Sequence, residues 1–294
     1  MSRKNVSWSF LSVLICWTVF AVPASAQHFQ QVKGSLVAVS AGRNEVFGFD
    51  NRAAVWRFNA KTNAFTKIKG VSLVQIAVGG GTLSQLDEVW GIDPNNKVYR
   101  FDYSTKTFNQ ISGAVLVQIT VGVGNEDQCH PYEVWGIASN DEVFRFDYCS
   151  GQFNQSAGSA LTQIATGGGD VWGIINSVVF HYSFSQEKLI PVAGTLTHIA
   201  VGVNDVWGFN STEEVFRYDP ATGTFNTVAG STLEIAAGGD GVWLLDASGN
   251  IWRFDSSSEA FLQVSGVLIN IAVGSGAGVF GVNTSNQVFE FVRP

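Results

Sequence analysis

The sequence predicts an all-β chain, a seven-bladed β-propeller of four-stranded antiparallel blades, and three observations lead there. A four-strand pattern recurs along almost the whole chain. Each copy alternates apolar and polar residues in short runs divided by turn-forming residues, as strands joined by hairpins do. The two ends of the chain are out of phase by one strand, so that the first segment supplies what the last copy lacks. Recurrence at a period of roughly 40 residues marks a repeat architecture.

The copy at 196–230 shows the pattern most plainly. Strands are expected at Leu196 to Val201, Val206 to Phe209, Val215 to Tyr218 and Phe225 to Val228. The first strand, L-x-x-I-A-x-G or a close variant, starts at Leu36, Leu73, Leu116, Leu161, Leu196, Leu233 and Leu268. The fourth recurs at 29–34, 65–70, 108–113, 153–158, 189–194, 225–230 and 261–266. The last copy stops after its third strand, at Val288 to Phe291, while residue 27 onwards begins with a fourth strand. Phe29–Val32 is therefore expected beside Gln287–Phe291, fastening a ring. Residues 27–294 shared among seven copies give about 38 each, near the ~40–45 of a four-stranded blade. An open solenoid would instead carry atypical caps at both ends.

Within a copy, Trp90 and Ile92 share one face of their strand, and Tyr99 and Phe101 share one face of the next. A four-residue turn at Asp93–Asn96 would set Trp90 opposite Tyr99. Two copies are longer between first and second strands, at Thr82–Glu88 and Asn125–Glu133.

Residues 1–26 differ from the rest. Arg3 and Lys4 precede an apolar run from Phe10 to Val22, and Ala24–Ser25–Ala26 is a small-residue cleavage site. This is the pattern of a secretory signal peptide, leaving a single domain at 27–294 in the periplasm or outside the cell, with no membrane insertion after cleavage. A lipoprotein signal would need a small residue before Cys16, where Ile15 stands. With Cys16 removed, Cys129 and Cys149 remain; both fall in connections at the same rim of one blade, and a disulfide is expected between them in an exported protein. It would pin a nine-residue loop.

The chain is 46% hydrophobic and 14% charged with net charge −7 and no basic cluster, which supplies a core and excludes a nucleic-acid footprint. His28, His130, His181 and His198 occupy unrelated positions. No G-x-S-x-G, H-E-x-x-H or phosphate-cradling motif occurs; Gly79–Gly81 and Gly167–Gly169 lead into strands and read as turns. No copy carries an unusual acidic pair of the glycosidase kind. The expectation is a non-enzyme without cofactor or metal.

What recurs is a set of groups suited to binding. Trp90, Trp135, Trp172, Trp207 and Trp243 stand in second strands, with Phe47 and Phe280 in the other two copies. Arg57, Arg100, Arg145, Arg217 and Arg253 stand in third strands, replaced by His181 and Glu290 elsewhere. Asp50, Asp93, Asn210, Asp246 and Asn283 follow the aromatic by three residues. The Trp serves as filler between blades and the Asp or Asn begins a tight turn. The Arg demands more explanation, since a charge between packed sheets requires a partner. It stacks on Trp, pairs with a turn Asp, or offers donors to a ligand. Aromatic faces and Arg, Asp and Asn together suit a sugar, and several similar sites would give avidity.

The motif V-W-G-x-N/D followed by x-V-F/Y-R-F/Y, alternating with I-A-V-G strands across residues 27–294, resembles the tectonin family, which includes fish-egg lectins and a horseshoe-crab tachylectin. The resemblance implies a β-propeller that, in its lectin members, recognises glycans on cell surfaces, including microbial ones, without catalysis. Other tectonin-repeat proteins are interaction scaffolds, so a protein-binding role using one face of the ring and the insertions 82–88 and 125–133 is the alternative. Several lectin members have six repeats, against seven here. The candidate glycan-binding sets are Trp90, Asp93 and Arg100; Trp135 and Arg145; Trp207, Asn210 and Arg217; and Trp243, Asp246 and Arg253.

Overall fold

A computed structural model describes residues 27–292. The expected signal peptide, 1–26, lies outside the described residues. Within them the chain is all β, with twenty-eight strands and no helix long and apolar enough to cross a membrane.

The strands fall into successive antiparallel groups of four, called units here, each running from an inner to an outer strand. In unit one they are Ala38–Ala41, Val46–Phe49, Ala54–Asn59 and Ala64–Ser72. In unit five they are His198–Val201, Val206–Phe209, Glu214–Asp219 and Thr224–Ser231. The outer strands are longer than the sequence pattern suggests, because their register shifts near the small residues at their ends and pairing resumes beyond. The last unit comprises Asn270–Val273, Val279–Val282 and Gln287–Val292, and its outer strand is His28–Ser35 from the other end of the chain, with Phe29 opposite Phe291 and Val32 opposite Val288.

The turn between second and third strands corrects one expectation. Asp93 and Lys97 pair across it, and Asn96 takes φ 64°. A type I turn followed by a left-handed residue carries one residue more than the expected four-residue turn. Trp90 therefore faces Arg100, and Tyr99 faces Gly91. The same register sets Trp135 opposite Arg145, Trp207 opposite Arg217 and Trp243 opposite Arg253.

Each second-strand aromatic is buried against the following unit. Trp90 meets Phe146 edge-on with centroids 4.7 Å apart, and Trp207 meets Phe254 at 4.7 Å. Trp243 meets Phe291 at 4.7 Å, and Phe280 of the last unit meets Phe58 of the first at 5.0 Å. Each such pair contributes about 1 kcal/mol beyond the burial of its area.

The V-W-G glycine has a steric cause. A Cβ at Gly208 would lie 2.5 Å from Leu196 Cδ1, and one at Gly136 would lie 2.3 Å from Leu116 Cδ1. The leucine that opens each inner strand fills the space this glycine leaves, and Leu36, Leu73, Leu161 and Leu196 are fully buried. Unit six inverts the pair, which corrects its expected start. Leu233 is 53% exposed, Thr232 takes the buried place, and Leu244 stands where the other units have glycine. Small against large is preserved with the partners exchanged.

Cys129 and Cys149 form a disulfide with Cα atoms 5.0 Å apart. It does not pin a loop. The insertion continues the strands as Gln118–Asp127 and His130–Ile137, with Asp127 opposite His130, and the disulfide ties their turn to the third connection. Closing a loop of this size stabilises by about 3 kcal/mol.

Candidate functional site

The third-strand arginines lie over their cross-strand aromatics: Arg100 over Trp90 at 5.7 Å, Arg145 over Trp135 at 5.5 Å, Arg217 over Trp207 at 5.3 Å and Arg253 over Trp243 at 5.7 Å. Their charge is met by a residue that sequence reasoning missed, the carboxylate two positions before the aromatic. A spacing of two puts both side chains on one face of the strand. Arg100 donates from Nε to Glu88 Oε2 at 2.7 Å and from Nη2 to Oε1 at 2.6 Å; Arg145 does the same to Glu133 at 2.9 and 2.5 Å. Arg57 forms the equivalent fork with Glu45, whose hydrogen bonds raise the guanidinium pKa further. The indole N–H donates to the same carboxylate, Trp90 to Glu88 at 2.9 Å and Trp135 to Glu133 at 2.7 Å. The signal was in the sequence as E-V-F, E-V-W, E-V-W, D-V-W and D-V-W at Glu45, Glu88, Glu133, Asp170 and Asp205.

The partnership weakens along the chain. In unit four His181 replaces Arg, stacks on Trp172 and lies 3.1 Å from Asp170. In unit five the shorter Asp205 accepts the Trp207 indole N–H at 2.8 Å but stands 3.8 Å from Arg217. In unit six the position is Gly241, and among the described residues no carboxylate forms a salt bridge with Arg253. In the last unit Phe280 faces Glu290, whose pKa burial raises.

Two clefts open where the fork is lost. One of about 560 Å³ lies at Arg217, between units five and six, with Asn204, Asp205, Asp219 and Asn226 as polar walls and Tyr218 and Phe254 as apolar ones. The other, about 410 Å³, lies beside Arg253.

The structure thus joins Trp with Arg in all four candidate sets and leaves the turn residue out. Asp93 accepts backbone N–H groups of Asn95 and Lys97 at 2.8 and 2.9 Å; Asn210 holds Thr212 and Glu214, and Asp246 holds Ser248, Asn250 and the Trp252 indole. Three residues of extended strand, about 10 Å, separate it from the aromatic. The indoles are packing elements: Trp90, Trp207 and Trp243 are fully buried and Trp135 is 1% exposed, so none presents a face to solvent. His130 contacts Asp127 and His198 stacks on Phe209, in different units. Cys129, Cys149 and Asp147 bring ligand-type atoms within 4.8 Å, but both sulfurs are engaged in the disulfide.

Inner strands meet around a cavity of about 460 Å³, whose walls include Gly79, Gly122, Gly167 and Gly238. Side chains latch successive inner strands: Gln75 accepts from Ile119 N, Gln118 from Ile164 N and Gln163 from Ile199 N. Glu234 fills this role in unit six, accepting from Ile271 N at 2.8 Å, and burial pushes its pKa up to about 7. Asp87, 1% exposed, accepts the N–H groups of Arg43, Asn44, Glu45 and Gly81, binding the Thr82–Glu88 insertion to unit one.

Such stacked four-stranded units define the propeller class, and solved structures agree. Similar in fold are YCF48 bound to D1 peptide (TM-score 0.66, 11% identity, covering 93% of this chain and 99% of that one) and RRP9 WD40 repeats (0.65, 10%, 92% and 98%). Human WBSCR16 is another (0.65, 10%, 90% and 88%). The Tectonin domain profile matches residues 18–174, 82–259 and 160–293, and the chain belongs to the tectonin family. No curated protein matches it in sequence.

Proposed function

We propose that the chain is an exported carbohydrate-binding lectin, a single domain closed as a seven-bladed ring and acting without catalysis in the periplasm or outside the cell. Its glycan sites, several and individually weak, sit at the clefts between units. The observation that carries this reading is the cleft at Arg217. There a guanidinium only loosely paired with Asp205 stands among amide and carboxylate groups and beside two aromatic side chains. That mixture hydrogen-bonds hydroxyls and covers C–H faces. Arg100 and Arg145 have their Nε and Nη2 donors engaged by Glu88 and Glu133, so binding falls chiefly to units five and six. The partners are cell-surface or microbial glycans.

The test is a glycan array probed with residues 27–294, followed by Arg217→Ala. Binding competed by a free sugar and reduced about tenfold or more by the substitution is expected. A folded protein that binds no glycan would refute the reading.

A second reading, a protein-interaction propeller, is favoured by Leu83 and Leu86, which are 91% and 55% exposed in the 82–88 insertion. Loss of a co-purifying protein in the double variant Leu83→Ser, Leu86→Ser would support it. Removing the insertion is a poor test, because Asp87 and Glu88 hold the fold.

A further inference from the structure

We propose that Arg253 is a carboxylate-recognition site, and that the glycan it selects is an acidic one of the uronic-acid type; this rests on the lectin reading. The protein itself shows what these arginines bind. In units one to three, one carboxylate takes Nε and Nη2 of the arginine, and in units two and three it also takes the indole N–H of the aromatic beneath. In unit six the donors remain and the carboxylate is gone. Among the described residues, Arg253 Nε is buried without a hydrogen-bond partner, and the guanidinium makes one hydrogen bond, from Nη1 to Gln27 Oε1 at 3.3 Å. Among the same described residues, the Trp243 indole N–H reaches only the Asp240 carbonyl, at 3.4 Å.

The space is open as well. A Cβ at Gly241, where the carboxylate-bearing residue stands elsewhere, would meet within 4 Å, adjacent residues aside, a single atom of the described residues, Trp243 Nε1 at 3.7 Å. The Asp240 carboxylate is turned to the N–H groups of Gly276 and Gly278. Asp255 lines the adjoining cavity of about 410 Å³, but its oxygens accept from Ser257 and Ser258. A sugar carboxylate entering there would restore the planar, two-point contact that Arg makes in the other units. Gln27, Gln263 and Ser265 of the same cavity are placed for its hydroxyls.

The experiment compares an oligosaccharide ending in a uronic acid, its methyl ester and the neutral sugar, by calorimetry on residues 27–294 and on Arg253→Gln, with thermal unfolding to verify the variant's fold. The acid should bind at least about tenfold tighter than ester or neutral sugar, and Arg253→Gln should remove that preference. Equal binding of acid and ester overturns the assignment without recourse to any variant. So does an acid preference that survives Arg253→Gln in a folded protein. Binding of neutral sugars with no preference for acid overturns this inference and leaves the lectin reading standing; failure of every sugar overturns both.

Discussion

Units three and six share the same strands, the same buried indole and the same arginine, yet their arginines live in different circumstances. Arg145 is locked by Glu133, which is fully buried; Arg253 has a glycine where that glutamate would be. The first arrangement is structural, since a buried charge left alone is costly. The second leaves donors over, which is what a binding site requires. One side chain, two positions before the aromatic, separates scaffold from candidate site.

The largest effect should come from converting unit three to the state of unit six. Glu133→Ala strands the Arg145 guanidinium and the Trp135 indole N–H, and should cost about 3–5 kcal/mol in urea unfolding. A loss below about 1 kcal/mol would break the comparison.

Unit six differs again in its latch, where Glu234 stands in the role of Gln75, Gln118 and Gln163. Its folded pKa, about 7, lies above the ordinary 4.5. The folded state therefore holds the proton more tightly, and the associated stability is present in full below about pH 4.5 and is lost as pH rises through about 7. The span is up to about 3 kcal/mol. Glu234→Gln should flatten that slope of stability between pH 4.5 and 7; an unchanged slope would place its origin elsewhere.

Gly208→Leu gives unit five the large residue of unit six without the small partner. It should destabilise by roughly 1–3 kcal/mol, and adding Leu196→Thr should recover part of the loss. Strict additivity of the two would deny that they fill one space. The smallest change is Asp205→Glu, which should let the carboxylate reach Arg217 in the manner of Glu88. A gain of about 0.5 kcal/mol with weaker glycan binding is expected; stronger binding would argue against a role for the loose pairing.

Much of this was legible from residues. The strand pattern, the fourth strand at the front of the chain and the Cys129–Cys149 pair follow from periodicity and connection order, which are local properties. The Trp90–Arg100 register was not legible, because a left-handed Asn96 adds a residue to the turn and moves every partner by one. A carboxylate stands before V-W in four units and before V-F in unit one, yet its meaning needed the register, since only that brings Glu88 and Arg100 to one face. The misplaced start at Leu233 has the same origin: a leucine is apolar wherever it stands, and only the burial of Thr232 and Leu244, with Leu233 left exposed, shows which residues are inside.

The sequence by itself determined the class of fold and the family, because hydrophobic alternation and turn residues act over a few positions and recur. Tertiary structure alone decided which arginines are engaged and which retain free donors. That outcome depends on distances across strands and between units, where one methylene, the difference between Glu88 and Asp205, separates a hydrogen-bonded fork from a 3.8 Å approach.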